Sequence, residues 1–226
     1  VFEKVEPSLR CWKHSGHGEV ANAPTALQFS CNDYLCEISY RLGMQQGGSF
    51  DDGQALHCLR KYAEMFHLNE TSGIEIYESV PHMTGAYGIP SAIGQGTHNY
   101  TTTQLARYIN AVASRGDGSP LTLIENTEGE ENWHIDLPDP VWDTVQTGMQ
   151  QFAQENAVLK DMEINVAGKT GTAQESKYRP DHALFAGYAP AEAPEITIAV
   201  RIANGYASSN ATMAGRNIFN YYFGLE

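Results

Sequence analysis

Beyond Lys160 the apolar pattern of the chain changes period, and that change limits the fold more than any other feature of the sequence. Upstream, apolar residues recur at the three- and four-residue intervals of helices; downstream they alternate or run on continuously, as in strands. Three strands are predicted: Ile164 to about Gln174, His182 to Ala189, and Glu195 to Ala203. The link Ala191-Glu192-Ala193-Pro194 is short enough to join the last two as a hairpin. A closing helix from about Thr212 to Phe223 would lay Ile218, Phe219 and Tyr222 on that sheet. Helices first and an antiparallel sheet last give an α+β chain, mostly helical over about residues 20–160 and built of strands plus a C-terminal helix over about 161–226.

Within the helical part, a pattern starts near Asn22 and runs through Pro24-Thr25-Ala26-Leu27. It breaks at Ser30-Cys31-Asn32 and resumes from Asp33 to Leu42, where Gly43 is a stop signal. Asp51 and Asp52 can cap a helix reaching about Phe66 with Leu56, Leu59, Ala63 and Phe66 on one side. Residues 69–99 are rich in Gly, Pro and Ser and are expected to form a long structured loop. Thr101 and Gln104 have the capping-box spacing, and Leu105, Ile109, Val112 and Ala113 follow at helical intervals up to Gly116. Leu121 to Glu125 is a short strand candidate, and Asp139-Pro140 opens a helix expected to turn Val141, Val145 and Phe152 inward.

At 226 residues and 42% hydrophobic, the chain can bury one real core. Its formal charge of -13 has no basic cluster within it, which excludes nucleic acid and anionic membrane surfaces as partners. No apolar run is long enough to span a bilayer, and Val1 to Val5 are not a signal peptide. The four cysteines, Cys11, Cys31, Cys36 and Cys58, show no metal-ligand spacing and read as packed or free thiols. His14 and His17 could share a metal only on a helix, and Gly16 and Gly18 argue against one, so neither a metal nor a cofactor is expected.

Two short motifs carry the chemistry. Ser30-Cys31-Asn32 alone would pass for a polar turn capping the next helix, and Lys169-Thr170-Gly171-Thr172 alone for a strand edge with an exposed lysine. Together, one on a turn between helices and the other on a later strand, they match the pattern of serine acyltransferases. The likeness continues through Ala26-Leu27-Gln28-Phe29, Ile93-Gly94-Gln95-Gly96 and Thr101-Thr102-Thr103-Gln104-Leu105-Ala106. It extends through Val166-Ala167-Gly168 before the lysine and Ala183-Leu184-Phe185-Ala186-Gly187-Tyr188-Ala189-Pro190 after it. Over roughly residues 20–204 the chain resembles the transpeptidase domain of class B penicillin-binding proteins.

That resemblance implies a penicillin-binding protein/serine β-lactamase-like fold and a D,D-transpeptidase that cross-links peptidoglycan stem peptides. A serine attacks the carbonyl between two terminal D-alanines, one D-alanine leaves, and the acyl group passes to a neighbouring amine; β-lactams mimic the dipeptide and acylate the serine. Catalytic roles then fall to Ser30, Asn32 and Lys169, and substrate binding to Thr170, Gly171 and Thr172. A hydroxyl such as that of Ser30, bonded to a lysine, can hand a proton to the leaving amine. Asn32 offers an amide that donates to a substrate carbonyl and accepts from a lysine, while Lys169 supplies positive charge for the substrate carboxylate. The threonine hydroxyls add to that charge, Gly171 lets a peptide lie close, and the Thr172 N–H would be one of two oxyanion donors.

The pattern breaks at one point: no serine in this sequence has a lysine three residues later, so the family's Ser-x-x-Lys nucleophile motif is absent. In relatives it lies upstream of the Ser-x-Asn turn. The expectation is therefore a domain incomplete at its N-terminus, inactive alone, with exposed strand edge that favours dimerisation. A β-lactamase or β-lactam sensor, or a non-catalytic cell-wall assembly module, are the alternatives. The resemblance further implies stem peptide, β-lactams and cell-wall synthesis proteins as partners, and an extracytoplasmic domain whose parent is anchored in the cytoplasmic membrane.

Overall fold

In the computed structural model, which describes residues 9–125 and 132–225, the elements follow the predicted order, helices first and the main sheet last. Helix α1 (Ala23–Gln28) opens on Asn22, whose Oδ1 accepts the Thr25 N–H at 3.0 Å, with Pro24 in the first turn where its missing donor does no harm. After the link Phe29-Ser30-Cys31, α2 (Asn32–Leu42) runs to Gly43. The Asp51 carboxylate starts α3 (Asp52–Met65) by accepting the Gln54 N–H at 3.2 Å. Residues 69–99 are irregular apart from a single turn, α4 (Gly88–Ser91).

One carboxylate gathers several donors of that loop and of the helix after it. Glu78 accepts from the Ser72 N–H and hydroxyl at 2.5 and 2.9 Å and from the hydroxyls of Thr101 and Thr103. Burial alone would raise its pKa, but these donors outweigh it and hold the group below the usual carboxylate range. Thr101 is also the N-cap of α5 (Thr102–Ala113), where the expected capping box is complete: Thr101 Oγ1 accepts the Gln104 N–H, and Gln104 Oε1 accepts the Thr101 N–H.

Short strands β1 (Asp117–Gly118) and β2 (Trp133–His134) pair antiparallel ahead of α6 (Asp139–Glu155). The main sheet has β3 (Ala167–Ala173), β4 (His182–Ala189) and β5 (Ile196–Ile202) in that spatial order, all antiparallel, with Lys169 opposite Ala186 and Ala186 opposite Ala199. The period of two divides its sides. Ala167 and Tyr188 pack on Ile109 and Val112 of α5 and Met149 of α6. Ala183, Phe185 and Ile198 face the other way, onto Ala211 and Phe219 of α7 (Ser208–Phe223). Phe185 and Phe219 are fully buried there, each contributing on the order of 2–3 kcal/mol. Lys169 shares the side of Ala167 and so leaves the sheet toward α6.

One close approach sets where the Ser30 link lies. A Cβ on Gly148 of α6 would sit 2.7 Å from the Leu27 Cβ, so α1 can lie on α6 only because that residue is glycine. Gln28 then donates to Glu155 at 2.7 Å and fastens the C-terminal end of α1 to that of α6.

Three local expectations are corrected. Residues 121–125 form no strand: Leu123 N–H donates to Glu75 Oε2 at 2.8 Å and Ile124 N–H to Thr122 Oγ1 at 3.0 Å, so side chains take the donors that a ladder would need. Val141 is exposed, and the buried stripe of α6 is Trp142, Met149 and Ala153, with Val145 and Phe152 partly buried beside the core. In α7, which begins at Ser208, Ile218 and Tyr222 are exposed, and the buried stripe is Ala211, Thr212, Gly215 and Phe219. Small residues dominate that stripe, which hid it from a search for large apolar ones.

Candidate active site

The link between α1 and α2 is a Schellman turn. Phe29 is the C-cap, the Ser30 N–H donates to Leu27 O at 3.2 Å, and the Cys31 N–H donates to Ala26 O at 2.9 Å. The residue after the cap in such a turn must adopt a left-handed backbone, which is why glycine is favoured there. Here it is Ser30, at φ 50°. A serine in that conformation carries roughly 1–2 kcal/mol of strain that glycine would not.

The hydroxyl held in this way meets Lys169. Lys169 Nζ donates to Ser30 Oγ and to the carbonyl of Thr170 at 3.1 Å, and it stands 4.6 Å from the centre of the Phe152 ring. The ring's negative π-face is the favourable surface for an ammonium. Among the described residues no carboxylate lies within ion-pair distance of Lys169. Burial without an opposing charge lowers its pKa to about 8, close enough to neutrality for the amine to exchange protons.

The other predicted residues are placed as follows. Asn32 begins α2, and its Nδ2 donates to Arg10 O at 3.3 Å; its recorded partner is this carbonyl, not the Lys169 ammonium. Thr170 and Thr172 alternate with Lys169 along β3, and Thr172 is exposed. A Cβ on Gly171 would meet Leu184 at 3.4 Å, an ordinary contact, so the packing of the domain does not itself demand glycine at that position. Among the described residues β3 is an edge strand, paired only with β4. Its outer rim of N–H and C=O groups can take an extended peptide as an added strand.

Two features escaped the sequence reading. Phe152 had only the signal of a core residue on a helix, whereas its ring lies under the lysine. The spacing of His14 and His17 argues against a shared site and points to no other partner, whereas the structure groups His17 with Cys11 and Cys31.

A serine hydroxyl from a helical turn set against a lysine on an antiparallel strand is the arrangement of a serine acyltransferase site. The model of the penicillin binding protein transpeptidase domain matches residues 2–221, and the chain belongs to that family. It is 24% identical, over 95% of its length, to the peptidoglycan D,D-transpeptidase MrdA of Acinetobacter baumannii, of which the match covers 36%. Among solved structures it is similar to Pseudomonas aeruginosa PBP2 in complex with WCK 5153, with TM-score 0.82 and 25% identity, over 97% of this chain and 51% of that one. It also shares the fold of PBP2 from Helicobacter pylori in complex with MreC, with TM-score 0.79 and 20% identity, over 95% of this chain and 42% of the other. The class B assignment and the α+β penicillin-binding fold thus hold, and the chain spans little more than a third of the length of the MrdA protein it matches.

Proposed function

We propose that this chain is part of a serine D,D-transpeptidase that cross-links peptidoglycan stem peptides and takes β-lactams as substrate mimics. One observation carries the reading: Lys169, partly buried and with no carboxylate partner among the described residues, spends its hydrogen bonds on Ser30 Oγ and a backbone carbonyl. A salt-bridged surface lysine would do neither. In the reading, the scissile carbonyl is attacked by the serine of a Ser-x-x-Lys motif, which these residues do not contain, and that motif's lysine takes the hydroxyl proton and returns it when the acyl group leaves. The C–N bond breaks, Ser30 Oγ passes a proton to the departing D-alanine amine, and Lys169 replenishes Ser30. The acyl group then moves to a neighbouring amine, with the same pair taking up the proton that amine releases.

The substrate lies as an extended strand on the rim of β3, where Gly171 leaves room for its backbone and the Thr172 N–H serves as an oxyanion donor. Loss of one such donor slows acyl transfer by about a hundred- to a thousandfold. Thr170, Thr172 and Lys169 receive the terminal carboxylate, and Asn32 a substrate carbonyl. This places the domain on the outer side of the cytoplasmic membrane, with the cell-wall assembly proteins that work there as partners. No helix among the described residues is long and apolar enough to cross that membrane.

D-Alanine release by the full-length protein from a donor pentapeptide, in the presence of an amine acceptor, tests the reading. Formation of the cross-linked product, abolished in Lys169→Met, is the expected result. Rapid turnover of a chromogenic β-lactam without cross-linking would identify a β-lactamase instead.

A further inference from the structure

Where β3 ends, one imidazole joins three segments of the chain. His182 opens β4 and pairs in the ladder with Ala173, the last residue of β3 and the neighbour of Thr172. The residue is buried. Its Nε2 lies 2.9 Å from Glu175 Oε2, in the loop that leaves β3, and its Nδ1 lies 3.0 Å from the backbone nitrogen of Asn204, in the turn that follows β5.

These two contacts fix where the ring carries its proton. A backbone N–H can only donate, so Nδ1 is the acceptor and bears no proton; the proton of the neutral ring is then on Nε2, directed at the Glu175 carboxylate. A proton on Nδ1, alone or in addition, would set two donors against each other at Asn204. Arg201 Nη2, 3.3 Å from Nε2, is also only a donor and adds no second bond to that nitrogen.

The segments that meet at the ring need holding. The turn after β5 lies directly on the start of β4: a Cβ on Gly205 would be 2.8 Å from the Ala183 Cβ, and the Tyr206 N–H donates to Asp181 O at 3.1 Å. Asn204 and Tyr206 are both left-handed, at φ 54° and 64°, a conformation that side chains disfavour. The bonds to His182 and Asp181 keep that turn from relaxing. The loop after β3 has less to hold it. Lys177, Tyr178 and Arg179 are exposed, and among the described residues no side chain of 174–181 other than Glu175 bonds outside the loop.

We propose that His182, as the neutral Nε2–H tautomer, is a positioning residue for acyl transfer: it ties the loop after β3 to the turn after β5 and so fixes the end of β3. This rests on the transpeptidase reading, in which the Thr172 N–H is an oxyanion donor. Thr172 lies three residues before Glu175 and opposite Ala183, the residue after His182. Among the described residues β3 is laddered on one side only, so its end can swing with the loop that leaves it. The imidazole stops that swing and aims the donor before substrate arrives.

Acylation of the full-length protein by labelled penicillin tests this, with the saturating rate separated from the half-saturating concentration. Glu175→Ala and His182→Ala should each slow the saturating rate by about tenfold or more and leave the half-saturating concentration within about twofold. His182→Gln keeps a donor toward Glu175 and should recover the rate to within about threefold of native, whereas His182→Asn keeps only the acceptor toward Asn204 and should stay slow. Amide exchange across residues 203–207 should run the other way, about tenfold faster in His182→Gln and native-like in His182→Asn. If His182→Ala does not fold, Glu175→Ala, whose side chain is exposed, decides the matter. Native saturating rates in Glu175→Ala, a loss confined to the half-saturating concentration, a glutamine variant no faster than asparagine, or unchanged exchange in His182→Gln would each overturn the proposal. A native protein that takes up no penicillin would sink the transpeptidase reading and the positioning role together; a native protein acylated normally, with variants equally fast, sinks the positioning role alone.

Discussion

Ser30 and Lys169 stand 139 residues apart in sequence and are joined side chain to side chain, Nζ to Oγ. Each end of the contact is held at a conformational or electrostatic cost. The serine sits in a left-handed backbone that favours glycine, and the lysine is largely withdrawn from water with no countercharge among the described residues. Backbone strain at one end of the hydrogen bond and desolvation at the other are both measurable, and both fit the role proposed for this pair.

The backbone strain is isolated by comparing two variants that both lack the hydroxyl. Ser30→Gly should be more stable than Ser30→Ala by about 1 kcal/mol, because only alanine keeps a Cβ in the left-handed turn. Urea unfolding of the two proteins measures the difference; equal midpoints would mean that the turn relaxes without strain.

Lys169 should make the stability of the protein depend on alkaline pH in an unusual direction. Its folded pKa of about 8 lies below the ordinary 10.5, so between those values the unfolded chain holds more protons and stability rises with pH. Below about 8 the full burial penalty is in force. Lys169→Met should therefore stabilise the protein at pH 7 by about 1–3 kcal/mol and remove the rise. Reading the difference between the two proteins cancels the tyrosines, which titrate nearby; a destabilised methionine variant would contradict the assignment.

Phe152 should be felt at the lysine. Phe152→Leu keeps the site dry but removes the π-face, so about 0.5–2 kcal/mol of ammonium stabilisation is lost and the Lys169 pKa falls further below its ordinary value. Carbon-detected NMR titration of the lysine side chain measures it, and an unchanged pKa would show that the ring supplies only burial.

Gly148 controls the approach of the two halves of the site. Gly148→Ala places a methyl against Leu27 and should cost about 1–3 kcal/mol while pushing α1, and Ser30 with it, away from Lys169. Unfolding midpoints measure the first effect, and a Lys169 pKa moving back toward 10.5 reports the second.

What could be read from the sequence was whatever has a local signal. The three strands of the main sheet, the Thr101-Gln104 capping box and the two motifs on either side of it are set by spacing within a few residues. The failures are tertiary. Residues 121–125 look like a strand until Glu75, far upstream, takes their backbone donors. The buried stripe of α7 is made of small residues because Phe185 and Ile198 press against Gly215. Cys11, His17 and Cys31 share no spacing of any regular element, and they meet only because two glycine turns fold their segment back on the Ser30 link. Phe152 carried a helix-face signal, and nothing local said that a lysine would lie on it.

The central claim, that Ser30 and Lys169 are the proton-handling pair of a penicillin-reactive transpeptidase, is tested most directly by intact-mass analysis of the full-length protein after brief exposure to a labelled penicillin. The expected result is one added drug mass on a serine outside these residues, with the rate of addition reduced by about a hundredfold or more in Lys169→Met. A full-length protein that gains no mass, or one whose methionine variant is acylated as fast as the native protein, would contradict the account.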